Sequence, residues 1–184
     1  MKFETTSIQD CYVITPRLFE DERGYFFESF NQEAFSKATG ITRKFVQDNQ
    51  SKSQFGVVRG LHAQKGEHAQ AKLVRVLAGE VLDVAVDIRK GSPSFGKIVC
   101  QHLSAENFKQ LYVPRGCLHG FSVLTETATF FYKCDNLYHK EAEIGVYPFD
   151  PQLAIDWRLA QSAALISDKD QDLPSWETFL EKIL

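Results

Sequence analysis

The residues from Arg59 to Lys72, RGLHAQKGEHAQAK, gather groups that can move protons or hold a metal. His62, Gln64, Glu67 and His68 fall within seven residues, with Arg59 ahead of them and Lys72 behind. A divalent transition metal takes three or four N or O donors. Two positions after His62 stands Gln64, whose amide is a poor ligand, although His62, Glu67 and the distant His119 of CLHGF can be combined on paper. The second chemistry open to these residues is proton transfer, in which a carboxylate orients an imidazole so that it works as a general base near neutral pH. The third reading is a core histidine satisfied by a backbone group. Arg59, Lys72 and Asp83 favour an inward-facing site, because buried charge is costly unless paired or used.

Such a site needs strands to hold it. KLVRV (72–76) and VLDVAVDI (81–88) read as two strands around Ala-Gly-Glu. Val81, Asp83, Ala85 and Asp87 alternate with Leu82, Val84, Val86 and Ile88, so one face is apolar and the other carries two carboxylates. KGSPSFG (90–96) is a turn cluster; KIVCQHLS (97–104), LYVP (111–114), CLHGFSVL (117–124) and TFFYKCDN (129–136) follow as strands. Helical signals are few. NQEAFSKATG (31–40) has Asn31 as N-cap and Gly40 as its stop, and PSWETFLEKIL (174–184) puts Trp176, Phe179, Leu180 and Ile183 on one face. The pattern predicts a mainly β chain, an antiparallel double-sheet jelly roll with short flanking helices. With no repeat or linker, residues 1–184 read as one domain.

Composition agrees with an ordinary globular protein. At 184 residues and 43% hydrophobic content the chain can bury a substantial core. A net charge of −3 offers no broad electrostatic footprint for nucleic acid. No apolar run reaches the length of a membrane helix, and MKFETTSIQDCYVI has no apolar core of a secretory leader. Cys11, Cys100, Cys117 and Cys134 form no CxxC pair, and three of them lie in apolar strand-like runs. Buried free thiols and a cytoplasmic location are expected.

Seven blocks, in order and correctly spaced across most of the chain, carry a resemblance. They are FEDERGYFFESFN (19–31), FVQDNQSKS (45–53), GVVRGLH (56–62), QAKLVRVLAGEVLDVAVDIRKGSPSFGK (70–97), LSAENFKQLYVPRGCLHGF (103–121), FFYKCDNLY (130–138) and ISDKD (166–170). Together they resemble the dTDP-4-dehydrorhamnose 3,5-epimerase family. The resemblance implies a cupin-like jelly roll, a homodimer, and work without metal or cofactor. It implies a dTDP-sugar substrate, dTDP-4-dehydro-6-deoxy-D-glucose, inverted at carbons 3 and 5 to dTDP-4-dehydro-L-rhamnose. His62 then matches the base, Asp170 the carboxylate that holds its imidazole, Lys72 the cation near the enolate oxygen, and Tyr132 the acid on the opposite face. Arg23, Phe26, Glu28, Gln47 and Asn49 match nucleotide contacts, Arg59 a diphosphate ligand, and His119 and Tyr138 residues lining the pocket.

The chain departs from the family pattern in places. Ala63 follows the base where an aromatic is usual, which implies a larger sugar pocket, and Tyr112 and Cys117 stand where Trp and Phe are frequent. The neighbouring activities are 3-epimerisation alone, 3,4-ketoisomerisation of a related dTDP-4-keto sugar, and a metal-binding cupin.

Overall fold

The computed structural model describes residues 1–183. Its elements run β1 (Lys2–Thr5), β2 (Tyr12–Thr15), β3 (Phe19–Asp21), β4 (Gly24–Phe26), α1 (Gln32–Thr39), β5 (Gln47–Gln54), β6 (Val58–Gln64), β7 (Lys72–Ala78) and β8 (Glu80–Asp87). There follow β9 (Ile98–Ser104), β10 (Gln110–Val113), β11 (Cys117–Val123), β12 (Thr127–Cys134), β13 (Glu143–Gly145), α2 (Asp168–Gln171) and α3 (Trp176–Ile183). A six-stranded sheet has the order β1-β2-β10-β7-β12-β5, and a five-stranded sheet the order β13-β6-β11-β8-β9. Strand neighbours within both sheets are antiparallel. This is the mainly β jelly roll with flanking helices that the strand pattern predicts.

Side-chain alternation sorts the residues into layers. Val74, Val76, Leu111 and Phe130 of the six-stranded sheet pack in one cluster with Val81, Ala85, Phe121 and Val123 of the five-stranded sheet. Each such Val, Leu or Phe side chain contributes ~1.5–3 kcal/mol when fully buried. The alternate residues of β8, Leu82, Val84 and Val86, face the other way and join Leu118, Trp157, Trp176 and Phe179 in a second cluster. A third, with Ile14, Leu73, Phe35 and Tyr112, seats α1 on the outer side of the six-stranded sheet. The carboxylate-bearing face of β8 is therefore the interior of the sandwich rather than a wetted face, and Asp83 and Asp87 are both fully buried.

Both predicted helices appear, the first where its caps predict. Asn31 accepts a hydrogen bond from the Ala34 amide at 3.0 Å, and Gly40 closes α1 at φ 74°, a left-handed conformation that glycine adopts without a Cβ clash. The C-terminal helix begins at Trp176 and is described to Ile183; Leu184, also expected in it, lies outside the described residues. Cys11, Cys117 and Cys134 are buried free thiols as expected, whereas Cys100 is exposed. The reason is alternation on β9, where Val99 and Leu103 turn inward and Cys100 falls on the opposite face.

Candidate active site

The two sheets supply opposite walls of one pocket. From β6 and β11 of the five-stranded sheet come Arg59, His62 and His119; from β7 and β12 of the six-stranded sheet come Lys72 and Tyr132. The hollow extends as one lobe of about 420 Å³ toward Ser51 and Phe121 and another of about 410 Å³ toward Gln64 and Tyr138. His62, Lys72, Tyr132, Asn49 and Lys169 border both lobes. His62 and His119 are direct register partners on neighbouring strands. That approach depends on glycine: a Cβ on Gly60 would lie 2.7 Å from the Gly120 Cα, and one on Gly120 would lie 2.6 Å from the Arg59 carbonyl oxygen.

His62 receives its carboxylate from far along the chain. The Leu165 amide donates to the Gly56 carbonyl at 2.8 Å and the Val58 amide to the Leu165 carbonyl at 3.0 Å, which pins the ISDKD segment beside β6. Ser167 then caps α2, its hydroxyl accepting from the Asp170 amide, and the Asp170 side chain turns to the imidazole. Asp170 Oδ1 lies 2.6 Å from His62 Nε2, and Oδ2 accepts from the Gly60 amide at 3.2 Å. Burial pushes this carboxyl up, but the bond and charge of His62 and the Gly60 N–H outweigh it and hold Asp170 below its ordinary value. A carboxylate that stays ionised fixes the tautomer with Nε2–H donating and leaves Nδ1 as the basic nitrogen.

On the facing wall, the Lys72 ammonium stands 5.9 Å from the centroid of the Tyr132 ring. Burial lowers the Lys72 pKa, opposed by the charges of Cys134, Asp83 and Glu143. Burial raises the Tyr132 phenol, which keeps its proton available for donation. An imidazole on one sheet thus confronts a phenol and a lysine amine on the other.

The second lobe has its own polar frame. Glu143 accepts from Lys169 on Oε1 and from the Tyr138 hydroxyl on Oε2, the latter at 2.7 Å. Burial would raise the Glu143 carboxyl, but these two donors bring it down, and the same bond pushes the Tyr138 phenol up to about 12. Glu143 also lies 3.9 Å from His62 Nε2. Gln64 accepts from the His139 amide at 2.8 Å and Gln47 from the Tyr138 amide at 3.0 Å, so both tie the 134–143 segment to the pocket. Gln47 also donates to Asn49, and Asn49 to the Cys134 sulfur at 3.7 Å. Arg59 is braced by the Ser53 hydroxyl at 3.2 and 3.1 Å, its guanidinium bordering the first lobe.

Nine of the twelve site residues expected from sequence come together here: His62, Asp170, Tyr132, Lys72, Gln47, Asn49, Arg59, His119 and Tyr138. Arg23, Phe26 and Glu28 do not border either lobe. Arg23 and Phe26 sit on the exposed β3–β4 hairpin, where Arg23 pairs with Asp21 at 2.5 Å and Phe26 is 69% exposed. Glu28, just beyond it, accepts from Asn31 at 3.2 Å. Glu67 is on an outward turn against His68, so the paper trio of His62, Glu67 and His119 is not assembled. Among the described residues, no three His, Cys, Asp or Glu side chains converge as a metal site. Sequence reasoning passed over Glu143 and Lys169. Lys169 stood inside the ISDKD block and was findable there; Glu143 carried no signal of spacing or periodicity.

The geometry has close relatives. The family model described as dTDP-4-dehydrorhamnose 3,5-epimerase matches residues 5–178. A Shigella flexneri protein called dTDP-4-dehydrorhamnose 3,5-epimerase is 53% identical over 165 residues, covering 90% of each chain. The crystal structure of a dTDP-4-dehydrorhamnose 3,5-epimerase from Elizabethkingia anophelis superposes with a TM-score of 0.94 at 55% identity, covering 97% of both chains. A Legionella pneumophila dTDP-6-deoxy-D-glucose-3,5-epimerase, solved in complex with dTDP-4-keto-L-rhamnose, superposes with a TM-score of 0.93 at 48% identity over 100% of this chain and 96% of that one.

Proposed function

The chain belongs to the dTDP-4-dehydrorhamnose 3,5-epimerase family, and from that membership we infer that it converts dTDP-4-dehydro-6-deoxy-D-glucose into dTDP-4-dehydro-L-rhamnose. It is an isomerase acting on a dTDP-sugar. The ketone at carbon 4 acidifies the hydrogens on carbons 3 and 5, so removal of either leaves an enolate. His62 Nδ1 takes the proton while the Asp170 carboxylate stabilises the imidazolium that results. Lys72 stands as a fixed positive charge for the enolate oxygen, where a preorganised cation acts most strongly in a water-poor pocket. Tyr132 returns a proton from the other face, and the configuration inverts. As derived, each step uses only side chains of this chain. The observation that carries the assignment is His62 of one sheet, paired with Asp170 of α2, facing Tyr132 and Lys72 on the other sheet.

Arg59 serves the diphosphate, whose oxygens suit a guanidinium fork. Gln47, Asn49, His119 and Tyr138 line the sugar and nucleotide lobes. Arg23, Phe26 and Glu28 are nucleotide contacts in this proposal although they stand away from their own pocket. A homodimer accounts for both facts, with the exposed aromatics Phe19, Tyr25 and Phe26 meeting a second copy. Residues 1–184 act as one epimerase domain, and the four free thiols support a cytoplasmic location. No helix among the described residues is long and apolar enough to cross a membrane. Incubation with dTDP-4-dehydro-6-deoxy-D-glucose in heavy water tests the assignment: deuterium enters at carbons 3 and 5, and incorporation at carbon 3 alone would overturn it. Light scattering that found only monomers would remove the homodimer.

A further inference from the structure

One buried side-chain oxygen among the described residues has no hydrogen-bond partner, Oδ2 of Asp83. Asp83 is fully buried on the inner face of β8. Its other oxygen lies 2.8 Å from His119 Nε2 across the β8–β11 pair. The proton transfers derived above make no use of it, and a buried carboxylate oxygen left unpaired is expensive. Burial raises the Asp83 carboxyl, and the groups that oppose this and favour its ionised form are His119 of β11, by charge and hydrogen bond, and the charge of Lys72 of β7.

Lys72 is in the reciprocal position. Among the described residues no carboxylate forms an ion pair with it, and the groups that face it are Cys134 of β12, Asp83 of β8 and Glu143 of β13. Cys134 is a neutral thiol at ordinary pH, because burial pushes it up to about 11. Both oxygens of Glu143 are already engaged, by Lys169 and Tyr138. Asp83 is left as the facing carboxyl with unspent hydrogen-bonding capacity. His119, the register partner of His62, is disfavoured as a cation by burial and so meets Asp83 as a neutral donor.

We propose that Asp83 is a positioning residue for this active site: its carboxylate is the counter-charge that keeps Lys72 an ammonium in the pocket, and it locks His119 with Nε2–H turned toward β8. This rests on the assignment of Lys72 to the enolate oxygen made above. In that arrangement the empty Oδ2 is functional, since a strong ion pair there would spend the charge that Lys72 has to direct at the developing enolate. The sign follows directly. An anion nearby favours protonated Lys72, so neutralising Asp83 lets Lys72 lose its proton at a lower pH.

The test is a double-mutant cycle of Asp83→Asn and Lys72→Met on the full chain, followed by turnover against pH. Asp83→Asn should lower kcat about 100-fold at neutral pH with KM changed less than about threefold, and move the alkaline limb of kcat down by about one pH unit. In the Lys72→Met background the same change should cost less than about threefold, because the amide oxygen can still accept from His119 Nε2–H and only the charge that acts on Lys72 is lost. Lysine-selective NMR of Nζ should show the same downward shift without reference to activity. An unmoved limb, or additive effects, overturns the inference while leaving the mechanism standing. Full turnover in Lys72→Met alone overturns the assignment of Lys72, and this inference with it. Should Asp83→Asn not fold, Asp83→Ser removes the same charge and reads the same limb.

Discussion

Asp170 Oδ1 and His62 Nε2 lie 2.6 Å apart although 108 residues separate them. The imidazole is carried by a central strand, while the carboxylate arrives on one turn of helix that is itself docked on that strand's start by Leu165. A second bond, from the Gly60 amide two residues before His62, holds the other oxygen, so the carboxylate cannot rotate away without losing both. The protein's own groups orient the imidazole.

In the proposed mechanism His62→Asn removes the base, and Asp170→Ala removes the group that orients and charges it. Each should lower solvent-deuterium exchange into the substrate by about 10²–10⁴-fold. Affinity for dTDP, measured by calorimetry, should stay close to that of the unmodified protein. Unchanged turnover in either variant contradicts the assignment.

Tyr132→Phe separates the two halves of the reaction. His62 can still remove a proton and return a deuteron to the same face, so the substrate should exchange while inversion falls by about 10²-fold or more. NMR of recovered sugar in heavy water distinguishes label with retained configuration from label with inverted configuration. Loss of both together would place the phenol in the first step instead.

Asp87 offers a stability test remote from the pocket. Burial would raise its carboxyl, but bonds from Arg89, Ser94 and Ser92 bring it down to about 2. A depressed carboxyl stabilises the fold fully above its unfolded value, and that contribution is lost as pH falls through the folded one. Here it amounts to about 2 kcal/mol, disappearing between about pH 4 and 2. Urea unfolding of Asp87→Ala near neutral pH should show a loss of about 3 kcal/mol, since Arg89 loses its partner. The difference from the unmodified protein should shrink as the acid is approached.

Thiol labelling reads the layering of the sandwich. Cys100 is exposed and should react rapidly with an aromatic disulfide in the native state. Cys11 and Cys134 are buried, with burial pushing their thiols up to about 12 and about 11, and burial raises Cys117 as well. One fast equivalent, abolished by Cys100→Ser, is the expected result; two or more would contradict the packing.

Much of the frame could be read locally. The alternation of Val81 to Val86, the turn at Gly79 and the Asn31 and Gly40 caps are short-range signals, and each element appears at those positions. β5 shows where that reading stops. Its sequence, QDNQSKSQ, has no apolar period, and it is a strand because it adds to the edge of β12 from Gln47 opposite Cys134 to Gln54 opposite Thr127. Backbone pairing on an edge imposes little on side chains, so nothing in the composition announces it.

The residues of the candidate site divide along the same line. Residue types and ordered blocks pointed to His62, Asp170, Lys72 and Tyr132, and the fold brings these four to one pocket. The sequence does not carry the direction of the Arg23–Glu28 hairpin away from its own pocket, the Glu143 bracket of Lys169 and Tyr138, or the solitary Oδ2 of Asp83. Local pattern fixes which face of a strand a side chain occupies. Which faces then meet is decided by sheet order and by contacts between residues far apart in the chain, such as the 36 positions between Asp83 and His119, and those exist only once the two sheets have closed.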